Sequence, residues 1–320
     1  LTELGEDPGL DNMGLKQMID EINEEGGKVT DITSYGAGLP SFENNNNPFG
    51  YKFSWDPKGL MRSAVSPAAY VVNGQKIDVV AKFEVHRLVD VFGIGAFETY
   101  PSNDSSRYIP HFGLDKDVSV YKGLLRYIGW CNTMVNFLKI KLIENNTIND
   151  FGNTTYSQFM AGVIGVDSSE GIKSAVAVKM GLQEKDDIVE RMEWLGLFDD
   201  VQVRTHSGTN SDVLVDLMLE KLSYGPGEKD MIIVHNEIIV EFADRKERRI
   251  ASMLETGIPD GDTAMAQAVS LPAAIAARLI IEGKIKHTGV QIPSSPEMYG
   301  PILEEMEEYG FGFKKTTIVL

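Results

Sequence analysis

The spacing of apolar residues changes several times along the first 129 residues. Between Met13 and Ile22 the apolar positions follow a helical period, so a helix is predicted over residues 13–24, ending at the glycine pair that follows. Residues 28–35 are then typical of a strand that leads into a glycine-bearing turn at 36–40. Further predicted elements are a polar loop at 44–47, a helix at 57–65 and strands at 68–72, 76–80, 97–100 and 118–127.

After residue 129 the pattern becomes helical almost throughout, and it reverts to strands only after residue 224. We therefore interpret residues 130–224 as a helical insertion into a sheet domain. The fold class predicted is α/β, with a mixed sheet split by this insertion. The elements predicted in this half are helices at 134–143, 156–164, 172–180, 185–197, 211–222, 263–282 and 297–309, and strands at 230–242 and 247–255.

Charge and cysteine content narrow the class of protein. The net charge of −17 over 320 residues argues against a nucleic-acid or anionic-membrane surface, because both select for Lys and Arg. The longest apolar stretch, residues 264–281, is interrupted by polar residues and Pro272, so we expect a buried helix and no membrane partner. A single cysteine, Cys131, suits a reducing compartment, and we expect the cytoplasm.

The local motifs of common enzyme classes are mostly absent. No GxxxxGK[ST] loop or HExxH sequence occurs, and five scattered histidines with one cysteine give no metal site. The glycines at 36 and 38 resemble half of a dinucleotide fingerprint, but no third glycine opens a helix. We therefore expect them to serve a tight loop that needs positive φ.

Arg126 is the most informative single residue, because it lies among apolar neighbours in a predicted strand. A buried guanidinium suits a carboxylate held by two hydrogen bonds, and that carboxylate belongs either to a ligand or to a structural ion pair. Asp104 and Arg107 follow another strand end, where ligands tend to bind in α/β folds. An ordinary turn with a helix cap is the alternative there.

Longer blocks occur in the order found in one known family. The block Asn-Pro-Phe-Gly-Tyr-Lys-Phe-Ser-Trp at 47–55, and Thr-Ala-Met-Ala at 263–266 followed by Leu-Pro-Ala-Ala-Ile-Ala at 271–276, are long enough to be specific. In these blocks the chain resembles the saccharopine dehydrogenase family, the glutamate-forming reductase of lysine metabolism. Shorter similar segments are 5–11 (its G-x-DPG-x-D turn), 35–40 (GGLP), 100–105 (YPNRDS), 126–127 (the end of TLRY) and 194–198.

The resemblance implies an NAD(P)-dependent oxidoreductase that splits saccharopine with water into glutamate and aminoadipate semialdehyde. It also implies a homodimer with three parts, of which the N-terminal dinucleotide-binding half would precede this chain. Because that half carries the fingerprint, NAD and NADP are not distinguished. The predicted domains are 1–30, the end of the dinucleotide-binding domain; 31–129 with 225–260, the substrate and dimerisation domain; 130–224, the helical insertion; and 261–320, a return to the dinucleotide-binding domain, of Rossmann type.

Carried over by position, the resemblance makes Asp7 the candidate catalytic residue, beside the substrate amine and the nicotinamide. Arg126 would clamp a substrate carboxylate, with Leu124, Leu125, Asn103 and Asp104 as further substrate-binding candidates. Phe53, Ser54 and Trp55 would contact the cofactor end of the cleft.

Two departures from the family pattern bear on the substrate. Asn103 stands where the family has Arg, and Leu124 stands where it has Thr. Loss of a charge-assisted hydrogen bond would lower saccharopine affinity about ten- to a hundredfold, unless Arg107 turns inward to compensate. Restoring Arg at position 103 is accordingly expected to increase saccharopine turnover. A related amino-acid or carboxy-polyamine imine reductase therefore stays open, as does a non-catalytic substrate-binding or dimerisation fragment.

Overall fold

One large sheet organises the chain, and the computed structural model describes all of residues 1–320. The mixed α/β class predicted from the sequence is confirmed. The helices are α1 (Leu10–Glu24), α2 (Pro57–Val65), α3 (Tyr108–Phe112), α4 (Trp130–Lys139), α5 (Tyr156–Ile164), α6 (Ile172–Met180), α7 (Asp187–Leu195), α8 (Asn210–Lys221), α9 (Ala264–Ile281) and α10 (Pro296–Glu308). The strands are β1 (Lys28–Pro40), β2 (Ala68–Val72), β3 (Gln75–Val79), β4 (Arg87–Val91), β5 (Gly95–Pro101), β6 (Ser119–Arg126), β7 (Asn149–Asp150), β8 (Ser207–Gly208), β9 (Asp230–Glu241), β10 (Lys246–Thr256) and β11 (Lys314–Val319).

The strand order in the large sheet is β11-β10-β9-β1-β6-β2-β3, and β5 shares the outer edge of β6 and pairs with β4. Only β1 and β6 run parallel, with Tyr35 opposite Gly123 and Gly36 opposite Leu124. All other pairs are antiparallel. The carboxyl-terminal halves of β1 and β6 therefore lie side by side at the centre of the sheet, which is where ligands bind in many α/β folds.

The helical segment over residues 130–224 contains α4 to α8, and local sequence signals account for its boundaries. Thr155 and Thr209 each form a capping box at the start of a helix. Gly165, Gly181 and Gly196 end α5, α6 and α7 in the left-handed conformation that glycine adopts at low cost. The helices pack on one continuous apolar core that extends to the sheet through Phe97, Leu125 and Ile233.

The chain termini pack against the same sheet. Residues 314–319, which we predicted to lie in a dinucleotide-binding portion, form β11 at the sheet edge against β10. Helices α9 and α10 share a core with β9 and the start of α1. By length and composition α9 is the one helix that could cross a membrane, and its buried residues lie in this core. The predicted domain boundaries stay a prediction.

The predicted turn at 36–40 was wrong, because β1 continues without a break to Pro40. Neither Gly36 nor Gly38 has a positive φ. A Cβ atom on Gly38 would lie 2.4 Å from Met265 Cε. The close approach of neighbouring groups to the strand, and not a positive φ, therefore favours glycine at these positions.

Candidate functional site

A cavity of about 380 Å³ lies over the adjacent carboxyl-terminal halves of β1 and β6. It is formed by the loop before α1, the two strands, the segment before α2 and the first turns of α9. Its lining residues are Gly5, Glu6, Asp7, Pro8, Gly38, Trp55, Leu124, Arg126, Met265 and Val269.

Three larger cavities, of about 420, 460 and 680 Å³, are lined mostly by residues of the helices and their connecting loops. Apart from the buried Lys82, their ionisable residues are exposed or half-buried, and none of the three combines buried acids with a buried base. The cavity over β1 and β6 instead contains buried acidic and basic side chains, which are rarely buried without a function or a partner. We therefore take it as the candidate site.

The loop before α1 is held by its own backbone and presents two acidic side chains to the cavity. The Leu10 N–H donates to the Gly5 carbonyl over 2.9 Å, and the Asp11 N–H donates to the Glu6 carbonyl over 3.2 Å. The Asp11 carboxylate in turn accepts from the Gly9 N–H over 2.7 Å. This closed turn fixes the directions in which Glu6 and Asp7 point.

The absence of a side chain at Gly36 lets both acids approach the sheet. A Cβ atom there would lie 2.9 Å from Asp7 Oδ2 and 3.2 Å from Glu6 Oε1. Because both oxygens are so close to one point, they are at most 6.1 Å apart. Gly36 therefore brings two carboxyl groups together at one wall of the cavity.

Substituting Gly36 with alanine tests this close approach. The new methyl group must displace Asp7, so we expect kcat/KM to fall about tenfold to a hundredfold, since ångström-scale misplacement has effects of that size. Stability should fall by about 1–3 kcal/mol, as in overpacked cores. Gly162→Ala in α5 is the control, because no atom lies within 4 Å of its Cβ position. Unchanged kinetics in Gly36→Ala would show that the position of Asp7 does not matter.

Lys122 is the one cation within the acidic cluster. Its ammonium hydrogen-bonds to the Asp11 carboxylate, donates to Asn12 Oδ1 over 2.6 Å and lies 3.7 Å from Asp7 Oδ1. Burial lowers the pKa of Lys122, but Asp11 and Asp7 outweigh that effect, so its pKa is raised and it stays charged. One positive charge thus faces three carboxyl groups.

The surplus of negative charge shifts the acids toward their neutral forms. Burial, followed by the Asp11 charge, raises the pKa of Asp7 to about 7, although Lys122 acts in the opposite direction. Burial, followed by the charges of Asp7 and Asp11, raises the pKa of Glu6 well above its usual value. A carboxyl with a pKa near neutrality is suited to accept and return a proton at physiological pH.

Arg126 lies at the end of β6, on the same face of that strand as Lys122 and Leu124. It is 3% exposed, and its guanidinium carbon is 5.4 to 5.8 Å from the ring centres of Tyr51, Tyr100 and Trp130. The Nη1 group donates to the Leu125 carbonyl over 2.7 Å, whereas Nε has no partner. Arg126 therefore does not form the structural ion pair that was one of the two alternatives from sequence. Its guanidinium is free to bind an anion.

The predicted cofactor-contact residues lie at different depths. Trp55 lines the cavity, is 37% exposed and donates from Nε1 to the Tyr51 hydroxyl over 2.7 Å. The Ser54 hydroxyl is buried without a partner and would lie 3.3 Å from a Cβ on Gly38. Phe53 packs edge-on against Tyr51, behind the cavity wall.

The candidates on β6 divide by strand alternation. Leu124 faces the cavity beside Arg126. Leu125 points to the opposite face and is fully buried in the apolar core, so its side chain is not part of the cavity wall. Only its carbonyl, which holds Arg126, contributes to the site.

Asn103 and Asp104 lie outside the cavity. Asn103 is exposed and has a φ of 51°, and Asp104 caps the turn of residues 105–107 and pairs with Lys76 over 2.6 Å. Arg107 does turn toward the N-terminal segment, but its guanidinium is 3.2 Å from Glu3 Oε1 and does not line the cavity. The alternative reading of this segment, a turn with a helix cap, describes it correctly.

The sequence did not identify Glu6, Lys122, Met265 or Val269 as site residues. Met265 lies in a block quoted for its resemblance, and Val269 follows that block. The spacing of Lys122, Leu124 and Arg126 at every second position of a strand is a usable signal for a shared face. Glu6 gives no such signal, because its place depends on the fold of the loop against β1.

Comparison with known proteins gives consistent results over nearly the whole chain. A family profile described as "Saccharopine dehydrogenase C-terminal domain" matches residues 5–311. The bovine (Bos taurus) protein named alpha-aminoadipic semialdehyde synthase, mitochondrial, is 35% identical over 97% of this chain, which spans 34% of that protein. Saccharopine dehydrogenase [NADP(+), L-glutamate-forming] from Saccharomyces cerevisiae is 31% identical over 99% of this chain, which spans 73% of the yeast protein.

The fold agrees with a solved structure. Apo histidine-tagged saccharopine dehydrogenase (L-Glu forming) from Saccharomyces cerevisiae superposes with a TM-score of 0.88 and 28% sequence identity. The match covers 99% of this chain and 73% of the yeast chain. The chain therefore spans about a third of the bovine relative and nearly three quarters of the yeast one.

Proposed function

Because the chain belongs to the saccharopine dehydrogenase C-terminal domain family, we propose that its cavity is the substrate site of an NAD(P)-dependent oxidoreductase. The proposed reaction is the oxidative cleavage of saccharopine to glutamate and aminoadipate semialdehyde. The observation that carries this proposal is the combination in one cavity of an unpaired, buried Arg126 and a carboxyl, Asp7, with a pKa of about 7.

Arg126 is proposed to bind a carboxylate of the substrate. Its aromatic surroundings exclude water, and a buried guanidinium without an internal anion gains most from a ligand that supplies one. Leu124 and Met265 offer apolar surface to the aliphatic part of the same molecule. The site would thereby fix the orientation of an amino acid with several carboxylates.

The Asp7 carboxylate is proposed to accept a proton from the secondary ammonium of the substrate. The neutral amine that results is able to give up hydride from its adjacent carbon, and water then hydrolyses the imine. Since Asp7 must be ionised to take the proton, we expect kcat/KM to rise with pH up to about 7.

The family implies a nicotinamide cofactor, and the cavity wall fits the ring of such a group. Trp55 offers a partly exposed aromatic surface, and Ser54 has a hydroxyl without a partner. When bound, the oxidised nicotinamide supplies the two-electron acceptor of the reaction. The relative named for NADP(+) favours NADP, and Trp55 and Ser54 do not discriminate between NADP and NAD.

Lys122 is expected to set the pH at which Asp7 works. Because the Lys122 charge lowers the pKa of Asp7, Lys122→Met should raise that pKa and move the acidic limb of the kcat/KM profile upward by about 1–2 pH units. Lys122→Arg keeps the charge and serves as the matched control. If the acidic limb of Lys122→Met lies at the same pH as in the wild type, the observed ionisation does not belong to Asp7.

A related imine reductase acting on a less acidic amino acid is the second candidate. It is favoured by Leu124, which lines the cavity at a position where the family has Thr. Asn103 is exposed and lies outside this cavity, so Asn103→Arg tests the substrate less directly than a change at Leu124. Leu124→Thr takes its place: a gain in saccharopine turnover would favour the first candidate.

The first experiment for this proposal is direct binding of saccharopine, measured by calorimetry on the wild-type chain and on Arg126→Leu. Saturable binding that this substitution abolishes is the expected result. Absence of saccharopine binding by the wild type, in a protein that melts cooperatively, would reject saccharopine as the substrate. A homodimer and a cytoplasmic location accompany this proposal as expectations.

A further inference from the structure

Glu6 is a buried acid in the cavity that the proposed reaction does not use. Its side chain lines the cavity and is 6% exposed, and its Oε1 atom has no hydrogen-bond partner. Leaving a carboxyl oxygen buried and unpartnered destabilises the folded protein. Such a group is explained most simply by a ligand that supplies the missing partner.

No cation of the protein forms a salt bridge with Glu6. Lys122, the one ammonium of the cluster, is held by Asp11 and Asn12 and lies next to Asp7. Arg126 lines the same cavity, but it forms no salt bridge with Glu6, so the two charged groups are more than 4.0 Å apart. Each keeps an unpartnered atom, Glu6 Oε1 and Arg126 Nε.

An acidic group and a basic group that share one cavity without touching define the charge pattern of its ligand. A dicarboxylate without nitrogen would satisfy Arg126 but offer no hydrogen-bond donor to Glu6. A simple amine would satisfy Glu6 and leave Arg126 without an anion. A ligand with both groups satisfies both walls, and charge-assisted hydrogen bonds are the stronger ones.

We propose that the Glu6 carboxylate binds a cationic nitrogen of the substrate while Arg126 binds its carboxylate, so that Glu6 selects an amino acid over its deaminated analogue. The inference deepens the proposed function and rests on it, because it takes this cavity as the substrate site. Asp7 is left free for the proton transfer. The substrate class is thereby a zwitterion whose ammonium group lies toward the loop before α1.

The test uses two small probes that differ only in the amino group, L-glutamate and glutarate. By calorimetry, the wild-type protein should bind L-glutamate about ten- to a hundredfold more tightly than glutarate, the range that one charge-assisted hydrogen bond provides. In Glu6→Gln this preference should drop to within about twofold. Glu3→Gln is the control, since Glu3 lies on the same segment, pairs with Arg107 and does not line the cavity.

A second variant separates the ionic role from a neutral one. If Glu6 acted only as a neutral hydrogen-bond acceptor, the glutamine carbonyl would replace it, and only Glu6→Leu would lose the preference. That result would overturn the proposal, as would a wild type that binds both probes equally or neither. The ionic role predicts that both variants lose the preference to the same extent.

The thermal stability of the unliganded protein provides an independent test of the role of Glu6. Without ligand, Glu6→Leu should raise the unfolding midpoint, because it removes a buried carboxyl that has one oxygen without a hydrogen-bond partner. A lower midpoint would show that Glu6 supports the fold and would count against recognition.

The outcome is also distinguishable from failure of the proposed function. Should saccharopine prove not to be a substrate while Glu6→Gln still loses the L-glutamate preference, the recognition role stands and the reaction must be reassigned. Should saccharopine be turned over while the preference survives in Glu6→Gln, the reaction stands and the role of Glu6 is rejected.

Discussion

Replacing Arg126 with leucine is expected to lower kcat/KM for saccharopine by about a hundredfold to a thousandfold. Truncating one partner of a buried, hydrogen-bonded charge pair typically costs about 2–5 kcal/mol of binding free energy. Arg126 is 3% exposed and has no internal anion, so nothing else compensates the substrate carboxylate when it is removed. The effect is measured by steady-state kinetics, and it should appear mainly in KM.

Arg126→Lys and Arg107→Leu make this result specific. Lysine keeps the charge but loses the planar fork, so it should recover only part of the affinity. Arg107 lies outside the cavity and pairs with Glu3, so its loss should change KM less than about threefold. Equal effects of Arg107→Leu and Arg126→Leu would mean that the carboxylate is bound elsewhere.

Asp7→Asn is expected to lower kcat about a hundredfold to ten-thousandfold, the usual contribution of a positioned general base. Asparagine has nearly the same shape, so substrate binding should change little. The wild-type kcat/KM should fall as the pH drops below about 7, because Asp7 becomes protonated. In Asp7→Asn this limb should disappear from the pH profile.

Asp20→Asn provides a control acid on α1, because Asp20 pairs with Lys16 and accepts from Tyr299 away from the cavity. It should keep both the wild-type kcat and the acidic limb. A full acidic limb in Asp7→Asn would assign the ionisation to another group and remove Asp7 as the base.

Asp7 should also leave a signature in folding stability. Its pKa is raised from 3.8 to about 7 in the folded protein, so the folded state holds this proton more tightly than the unfolded chain. Its contribution to stability is therefore lost as the pH rises from about 4 to about 7. The difference between unfolding midpoints measured at about pH 5 and about pH 8 should be smaller in Asp7→Asn than in the wild type.

Much of the fold was accessible from local sequence signals. Helices α5 and α6 begin and end where they were predicted, because each ends at a glycine in the left-handed conformation and α5 begins at a capping box. The hairpin of β2 and β3 follows from Asn73-Gly74. These boundaries depend on residues that are neighbours in the chain.

Elements that depend on tertiary contacts were predicted less well. Helix α4 was expected to run to residue 143, but it ends at Lys139, shortly before Lys141 adopts a positive φ. Strands β4 and β11 were not predicted, since they are short and lie toward the edges of the sheet. The glycines of β1 were misread because their reason is the approach of Asp7 and Met265 from distant parts of the chain.

The candidate site shows the same division. Arg126, Leu124, Asp7 and Trp55 were named from sequence, and the structure brings them to one cavity. Leu125 was carried over by position from the family resemblance, although strand alternation turns it into the core. Glu6 was missed, because only the packing of the loop before α1 against β1 places its carboxyl in the cavity.

The most direct measurement is the formation of reduced nicotinamide, followed by absorbance, when saccharopine and NADP are given to the protein extended through its dinucleotide-binding part. We predict saccharopine-dependent turnover that Asp7→Asn and Arg126→Leu each reduce at least a hundredfold, as the loss of a base or of a buried carboxylate clamp requires. An extended protein that binds the dinucleotide but leaves saccharopine unchanged would contradict the proposed reaction. The cavity would then belong to a family member with a different substrate.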